Sequence, residues 1–300
     1  KAETAIKRAL ELDPNNALAH AYYAELLADE YLDGSGPFDA LDKMSEESKV
    51  ALSLGPGLFE ARRARGYVLE STGNYQDAIT QYESAVAINK NIADVHISLG
   101  RSYIALAVYD KAVNSLTIAN QLNPSDPIPL LYISRVYATV GEYAKAEQYG
   151  QQAVKASPSD PALHGNLGMM YYRRLKWSEA AAEFSLTVAG GKDSDGVEVK
   201  PLELVTNAPR RTAEYYYTYG IVLIHLNECG QALPLFQKLL SQVPNDETAV
   251  FNANDGIRQC TEAAGATPSA GSGTSAPSGT AAPTEAGTPG DNTPTVTPTP

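Results

Sequence analysis

Residues 93–126 read ADVHISLGRSYIALAVYDKAVNSLTIANQLNPSD, and their pattern decides the fold. Val95, Leu99, Tyr103 and Leu106 recur at three- and four-residue steps, which puts them on one helical face. Tyr109, Ala112, Val113, Leu116 and Ala119 mark a second helix. The stretch is 34 residues long, and the same step separates its landmarks from their copies elsewhere. Tyr75, Tyr109, Tyr143 and Trp177 keep it, as do Ala78, Ala112, Ala146 and Ala180. Gly66, Gly100, Ser134 and Gly168 form a third column, and Leu69, Tyr103, Tyr137 and Tyr171 a fourth. Four columns in one register are the mark of an internal repeat.

Turn residues such as Thr72-Gly73-Asn74 and Val140-Gly141-Glu142 separate the two helices of a unit. Asn123-Pro124-Ser125-Asp126-Pro127 and Ser157-Pro158-Ser159-Asp160-Pro161 separate units. In these linkers the Asp suits an N-cap and the next Pro a first helical turn, where no backbone donor is needed. The small-residue column falls mid-helix, where glycine costs about 1 kcal/mol against alanine. Retaining it predicts a close helix–helix approach.

On these residues, above all Leu99-Gly100, Tyr103, Tyr109, Ala112, Leu116, Ala119 and Pro124, the chain resembles the tetratricopeptide repeat family. The resemblance implies an all-α, right-handed α-solenoid of stacked antiparallel helix pairs over residues 1–263. Within it, 1–16 reads as a half repeat, followed by repeats at about 17–58, 59–92, 93–126, 127–160 and 161–192. An insertion at 190–209 delays the next repeat to 213–246, and a capping helix follows at 246–262. The half repeat holds a second helix only, so its apolar stripe needs a cover, either upstream residues or a partner surface. From 264 to 300 the chain turns to Pro, Thr, Ser, Gly and Ala and reads as a disordered tail, a plain linker or a glycosylated stalk.

The resemblance also implies a function. First helices line the concave face in this family. Mapped onto this chain, that face carries Arg63, Tyr67, Arg101, Tyr132, Arg135, Asn166, Tyr172, Arg173 and Tyr217. Arginine and tyrosine anchor interfaces. On a chain of net charge -12, such a groove suits an extended protein or peptide segment bearing carboxylates. The Lys–Asn pair by which some family members clamp a C-terminal carboxylate is missing in that register. The acidic balance argues against nucleic acid, and no apolar run reaches the roughly 18 residues of a membrane span.

Nothing in the sequence points to catalysis or a cofactor. His20, His96 and His164 share one register, which spreads them along the stack instead of gathering them on a metal, and His225 stands apart. Asp193-Ser194-Asp195-Gly196 is similar to a calcium loop, but its glycine is misplaced and no closing Glu follows. Cys229 opens a second helix and Cys260 nears the end of the cap, ends that meet in an up-and-down stack. They read as a disulfide or as two ordinary thiols. A disulfide and the Thr/Pro tail would favour an extracytoplasmic or cell-surface location over a cytoplasmic one. The expected role is a non-catalytic scaffold holding a partner in its groove. The alternatives are a surface or filament subunit that self-assembles end to end through the half repeat, or a regulatory array cut from a larger protein.

Overall fold

The computed structural model describes residues 1–37, 39–206 and 210–265. The tail expected at 264–300 lies outside the described residues apart from its first two positions. Among the described residues the chain forms an α-solenoid. A single helix, α1 (Ala2–Leu12), leads into six helix pairs. These are α2 (Ala17–Asp33) with α3 (Ala40–Leu54), α4 (Phe59–Ser71) with α5 (Tyr75–Ile88), and α6 (Ala93–Ala105) with α7 (Tyr109–Leu122). Then come α8 (Ile128–Thr139) with α9 (Tyr143–Ala156), α10 (Pro161–Arg173) with α11 (Trp177–Ala189), and α12 (Arg210–His225) with α13 (Cys229–Gln242). The last helix is α14 (Glu247–Gly265). No described helix is long and apolar enough to cross a membrane.

The small-residue column explains the pairing. A methyl group at Gly66 would stand 2.6 Å from Tyr82, at Gly100 2.5 Å from Leu116, at Gly168 3.0 Å from Phe184, and at Gly220 2.5 Å from Phe236. In each case the glycine of the first helix receives a bulky side chain of the second. Those bulky groups are buried almost completely. In the α8–α9 unit both partners are small: Ser134 stands for the glycine and Gly150 for the bulky residue, a methyl group at Gly150 would stand 3.4 Å from Leu167 of the next unit, and the Ser134 hydroxyl donates to the Ala146 carbonyl at 2.7 Å. The ring column read from the sequence, Tyr75 through Trp177, is only half-buried, because the deepest side chains of these helices, Tyr82, Leu116 and Phe184, sit seven residues later. Leu106, read as part of the apolar face, follows α6 as its C-cap and is exposed.

The helix ends follow local chemistry. The Asp160 carboxylate accepts from the Ala162 N–H at 2.8 Å, with Pro161 as the first helical residue. Asp126 does the same for Ile128 at 2.9 Å. Each first helix packs on its own second helix and on the second helix before it, and successive first helices also touch, whereas successive second helices approach one another far less. The first helices therefore form the inner wall of the curve.

The insertion is a built structure. Its strands β1 (Gly191–Lys192) and β2 (Glu198–Val199) pair antiparallel, with Gly191 opposite Val199. Val199 and Leu204 are buried, the Leu202 N–H donates to the Thr187 carbonyl at 2.7 Å, and the Tyr216 hydroxyl donates to the Leu202 carbonyl at 3.0 Å. α13 continues through Pro234. It is tied to the cap by a disulfide between Cys229 and Cys260, whose Cα atoms are 5.5 Å apart.

That crosslink closes a separation of 31 residues, which the chain-entropy model values at roughly 3–4 kcal/mol. The variant Cys229→Ser with Cys260→Ser is expected to lose about that much stability in urea titrations. Its loss of amide protection should be concentrated in α13 and α14. An unchanged urea midpoint would show that the cap is held by packing alone.

Candidate functional site

The inner wall carries the arginines and tyrosines singled out from the sequence, and most of them already have partners. Arg63, on α4, grips Glu25 of α2 through two bonds of 2.8 Å each. Tyr67 donates to Asp29 at 2.5 Å. Burial and then this bond hold the Tyr67 phenol above its ordinary range. Arg101, on α6, pairs at 2.8 Å with Glu70 of α4, which also accepts from the Tyr82 hydroxyl at 2.7 Å. Burial raises the Glu70 carboxyl above the usual range, against the pull of Arg101 and Tyr82. These contacts run from each unit to the next and clamp successive first helices together.

Farther along, the Arg135 guanidinium lies over the Tyr132 ring at 5.9 Å and donates to Asn166 at 3.3 Å. Asn166 is buried and donates in turn to Ser134 at 3.1 Å, so it serves the stack. Tyr172 meets Trp177 edge-on at 5.8 Å, and Trp177 stacks on His225 at 4.1 Å. Burial, aided by Glu214 and Asp246, pushes the half-buried Tyr217 phenol up to about 12. Arg173 is exposed and makes no ion pair with any described residue; it faces the turn of the preceding unit beside Gly141 and Tyr143. One hollow of 360 Å³ opens on this side, lined by Leu32, Glu70, Tyr75, Arg101, Ile104 and Tyr132 among others.

Two arrangements escaped the sequence reading. The first concerns the histidine column. The Nε2–H of His20, His96 and His164 donates to the carbonyl six residues upstream, on Pro14, Lys90 and Pro158, at 2.9, 3.0 and 2.8 Å. His164 also meets Glu183 of α11 through Nδ1 at 2.6 Å, and His20 meets Glu47 of α3. A carbonyl and a carboxylate are both acceptors, so such a ring carries two protons. It staples the linker between units to the second helix. The spacing from proline to histidine was visible in the sequence, but its hydrogen bond was not. The second arrangement is Glu147, buried on α9, which takes Arg174 at 2.5 Å and Lys176 at 2.9 Å from the following unit.

A tetratricopeptide repeat family model matches residues 97–161 and 137–195, and a second model of that family matches 64–92. These matches cover the units whose glycines, rings and turns recur in register. The chain is a tetratricopeptide repeat protein. It is 30 % identical over 115 residues to anaphase-promoting complex subunit 6 of Arabidopsis thaliana, covering 38 % of this chain and 21 % of that protein. Over 215 residues it is 25 % identical to human superkiller complex protein 3, covering 71 % of this chain and 13 % of the other. It thus spans about a fifth or less of the length of these curated relatives. Among solved structures it is similar to one of pilF of Pseudomonas aeruginosa, with a TM-score of 0.60 at 15 % identity over 80 % of this chain and 97 % of that one. A structure of the Cut9-Hcn1 hetero-tetramer of the anaphase-promoting complex gives 0.63 at 16 % identity, over 85 % and 46 %. At these identities the structural likeness speaks for the fold. Tetratricopeptide repeats are protein-interaction scaffolds, and the family and fold are in general non-catalytic.

The histidine staples give this tetratricopeptide array a pH dependence of definite sign. Burial alone would lower the pKa of His164. The Glu183 bond and the Pro158 carbonyl outweigh it and raise the pKa above 6.5. The same balance raises His20, with Glu47 as its partner. A raised folded-state pKa contributes stability that is complete below the unfolded value and lost as pH climbs through the folded one. Urea midpoints measured from about pH 6 to pH 9 should therefore show a declining contribution from these pairs. His164→Gln should flatten part of that decline; an identical slope in the variant would contradict the assignment.

Proposed function

We propose that the inner wall of the solenoid holds an extended segment of a partner protein, and that the chain works as a non-catalytic scaffold. The observation that carries this reading is the hollow of 360 Å³ between Leu32, Ile104, Tyr75 and Tyr132, with Arg101 on its wall. Rings and aliphatic side chains there offer contact area, and a guanidinium offers directional donors. Arg63 and Arg101 are neutralised by Glu25 and Glu70, so they bind as hydrogen-bond donors more than as bare charges. The partner segment then needs apolar side chains for the hollow and carbonyl or carboxylate acceptors beside it. Arg135, Tyr172, Arg173 and Tyr217 extend the same reading along the array, with Arg63, Tyr67 and Asn166 shaping the wall.

A second reading, end-to-end assembly through α1, rests on one observation: α1 has no buried residue, whereas α3 to α11 each bury several. Sedimentation that becomes concentration-dependent, and ceases to be so when Ile6 is changed to Glu, would favour it.

Arg101→Glu is a poor test of the groove, because it would set a carboxylate against buried Glu70. Tyr132→Ala with Arg135→Glu leaves that pair intact. The double variant should keep its helical circular dichroism and lose at least about tenfold in affinity for whichever protein cross-links to the wild-type inner wall, a typical effect of removing two anchors. Equal capture by the variant would remove this reading.

A further inference from the structure

The turns that join the two helices of a unit share one backbone shape. Gly73, Ala107, Gly141, Leu175 and Asn227 stand at equivalent positions and have φ of 78°, 57°, 82°, 58° and 61°. At Leu175 the N–H donates to the Tyr172 carbonyl at 2.9 Å, and the next N–H, of Lys176, donates to Tyr171 at 3.0 Å. At Gly141 the matching bonds go to Ala138 at 3.2 Å and, from Glu142, to Tyr137 at 2.8 Å. This is the Schellman ending, in which glycine is favoured because a Cβ crowds the backbone. A leucine at this position is a conformational outlier: two sister turns use glycine, and the other two use the smaller alanine and the asparagine that tolerates this region. Packing does not account for it, since Leu175 is 64 % exposed. Strain with no return in burial points toward function.

The surroundings say what would cover it. Val140, on the neighbouring turn, is 45 % exposed. Between that turn and the end of α10 lies a hollow of 530 Å³ lined by Lys145, Arg173 and Arg174 among others. Arg174 and Lys176 share Glu147, and Lys145 has Glu142, while Arg173 makes no ion pair with a described residue. Cations therefore outnumber carboxylates at this edge of a chain whose net charge is -12. The overall charge repels long polyanions such as nucleic acid and an anionic bilayer. A short acidic segment feels mainly the local field, because screening cuts off the rest within about 8–10 Å.

We propose that this turn edge is a second docking surface for a short acidic segment of a partner protein, with an apolar side chain packed on Leu175 and Val140 and carboxylates meeting Arg173 and Lys145. It shares Arg173 with the inner-wall reading but rests on Leu175 and Val140, which that reading does not use, so Leu175→Gly and Tyr132→Ala separate the two.

The test is a displayed library of random peptides selected on the full chain and counter-selected on Leu175→Gly, with fluorescence titration of the enriched peptides. Enriched sequences should be rich in Asp and Glu around a Leu or Phe. Leu175→Gly and Arg173→Glu should each weaken their binding about tenfold, as loss of an anchor does. Tyr132→Ala should leave it unchanged, and Leu175→Gly should have an unchanged or higher Tm, since glycine relieves the turn. A lower Tm would mean that Leu175 is kept for packing and would overturn the proposal. So would enrichment of basic or neutral peptides, no peptide that discriminates the variant, or equal loss in Tyr132→Ala. Tighter binding to phosphatidylserine vesicles than to any enriched peptide would assign the edge to a membrane surface and overturn it as well.

Discussion

The whole structure depends on a size complement inside each helix pair. A residue without a side chain on the first helix lets a bulky group of the second come to within contact of its backbone. Gly100 with Leu116, Gly168 with Phe184 and Gly220 with Phe236 show the same fit with different large partners. Phe236 is enclosed from a second side as well, because Gly256 of the cap approaches the same ring. Close approach converts weak dispersion contacts into a dense, dry seam. Once that seam fixes the pair, the register of every neighbouring unit follows, since each unit packs only on those beside it. The Ser134–Gly150 unit has two small residues instead, and Leu167 of the next first helix comes up to Gly150. The space beside the small first-helix residue is thus filled by the unit's own second helix or, at Gly150, approached by the following unit.

Polar groups do a second job along the inner wall. Glu25 with Arg63, Glu70 with Arg101 and Glu147 with Arg174 and Lys176 reach from one unit into the next. Glu70 and Glu147 are buried carboxylates, so each would be a liability if its cation were removed. Such pairs add specificity to stacking that apolar contacts leave permissive. They also leave fewer arginines for a ligand than composition suggests. Arg173, which makes no ion pair with a described residue, lies at the turn edge instead of the centre of the wall.

Much of this was legible in the residues. The helical steps of Val95, Leu99 and Tyr103, the proline-capped linkers and the mid-helix glycines mark the paired helices, because each reports a local requirement. What received each glycine was less apparent. The bulky partner lies sixteen residues on, but Tyr82, Leu116, Phe184 and Phe236 differ in kind, and Gly150 breaks the column. The arginine pairings were harder still. They join residues 27, 31 or 38 positions apart, and which carboxylate an arginine finds depends on the curvature of the stack. The histidine staples lay between these cases: the proline six residues before His20 and His164 was visible, but not that its carbonyl takes the ring proton.

The central claim is tested most directly by a double-mutant cycle that rebuilds the Ser–Gly pair in a regular unit. Unfolding free energies would be measured for the wild type, Gly100→Ser, Leu116→Gly and both together. If the size complement governs the pair, the serine destabilises the chain while Leu116 is present and does so far less, or not at all, once Leu116 is glycine. The coupling would then fall in the range of about 0.5–3 kcal/mol seen for residues in contact. Additive effects, with the serine equally costly in both backgrounds, would contradict the account.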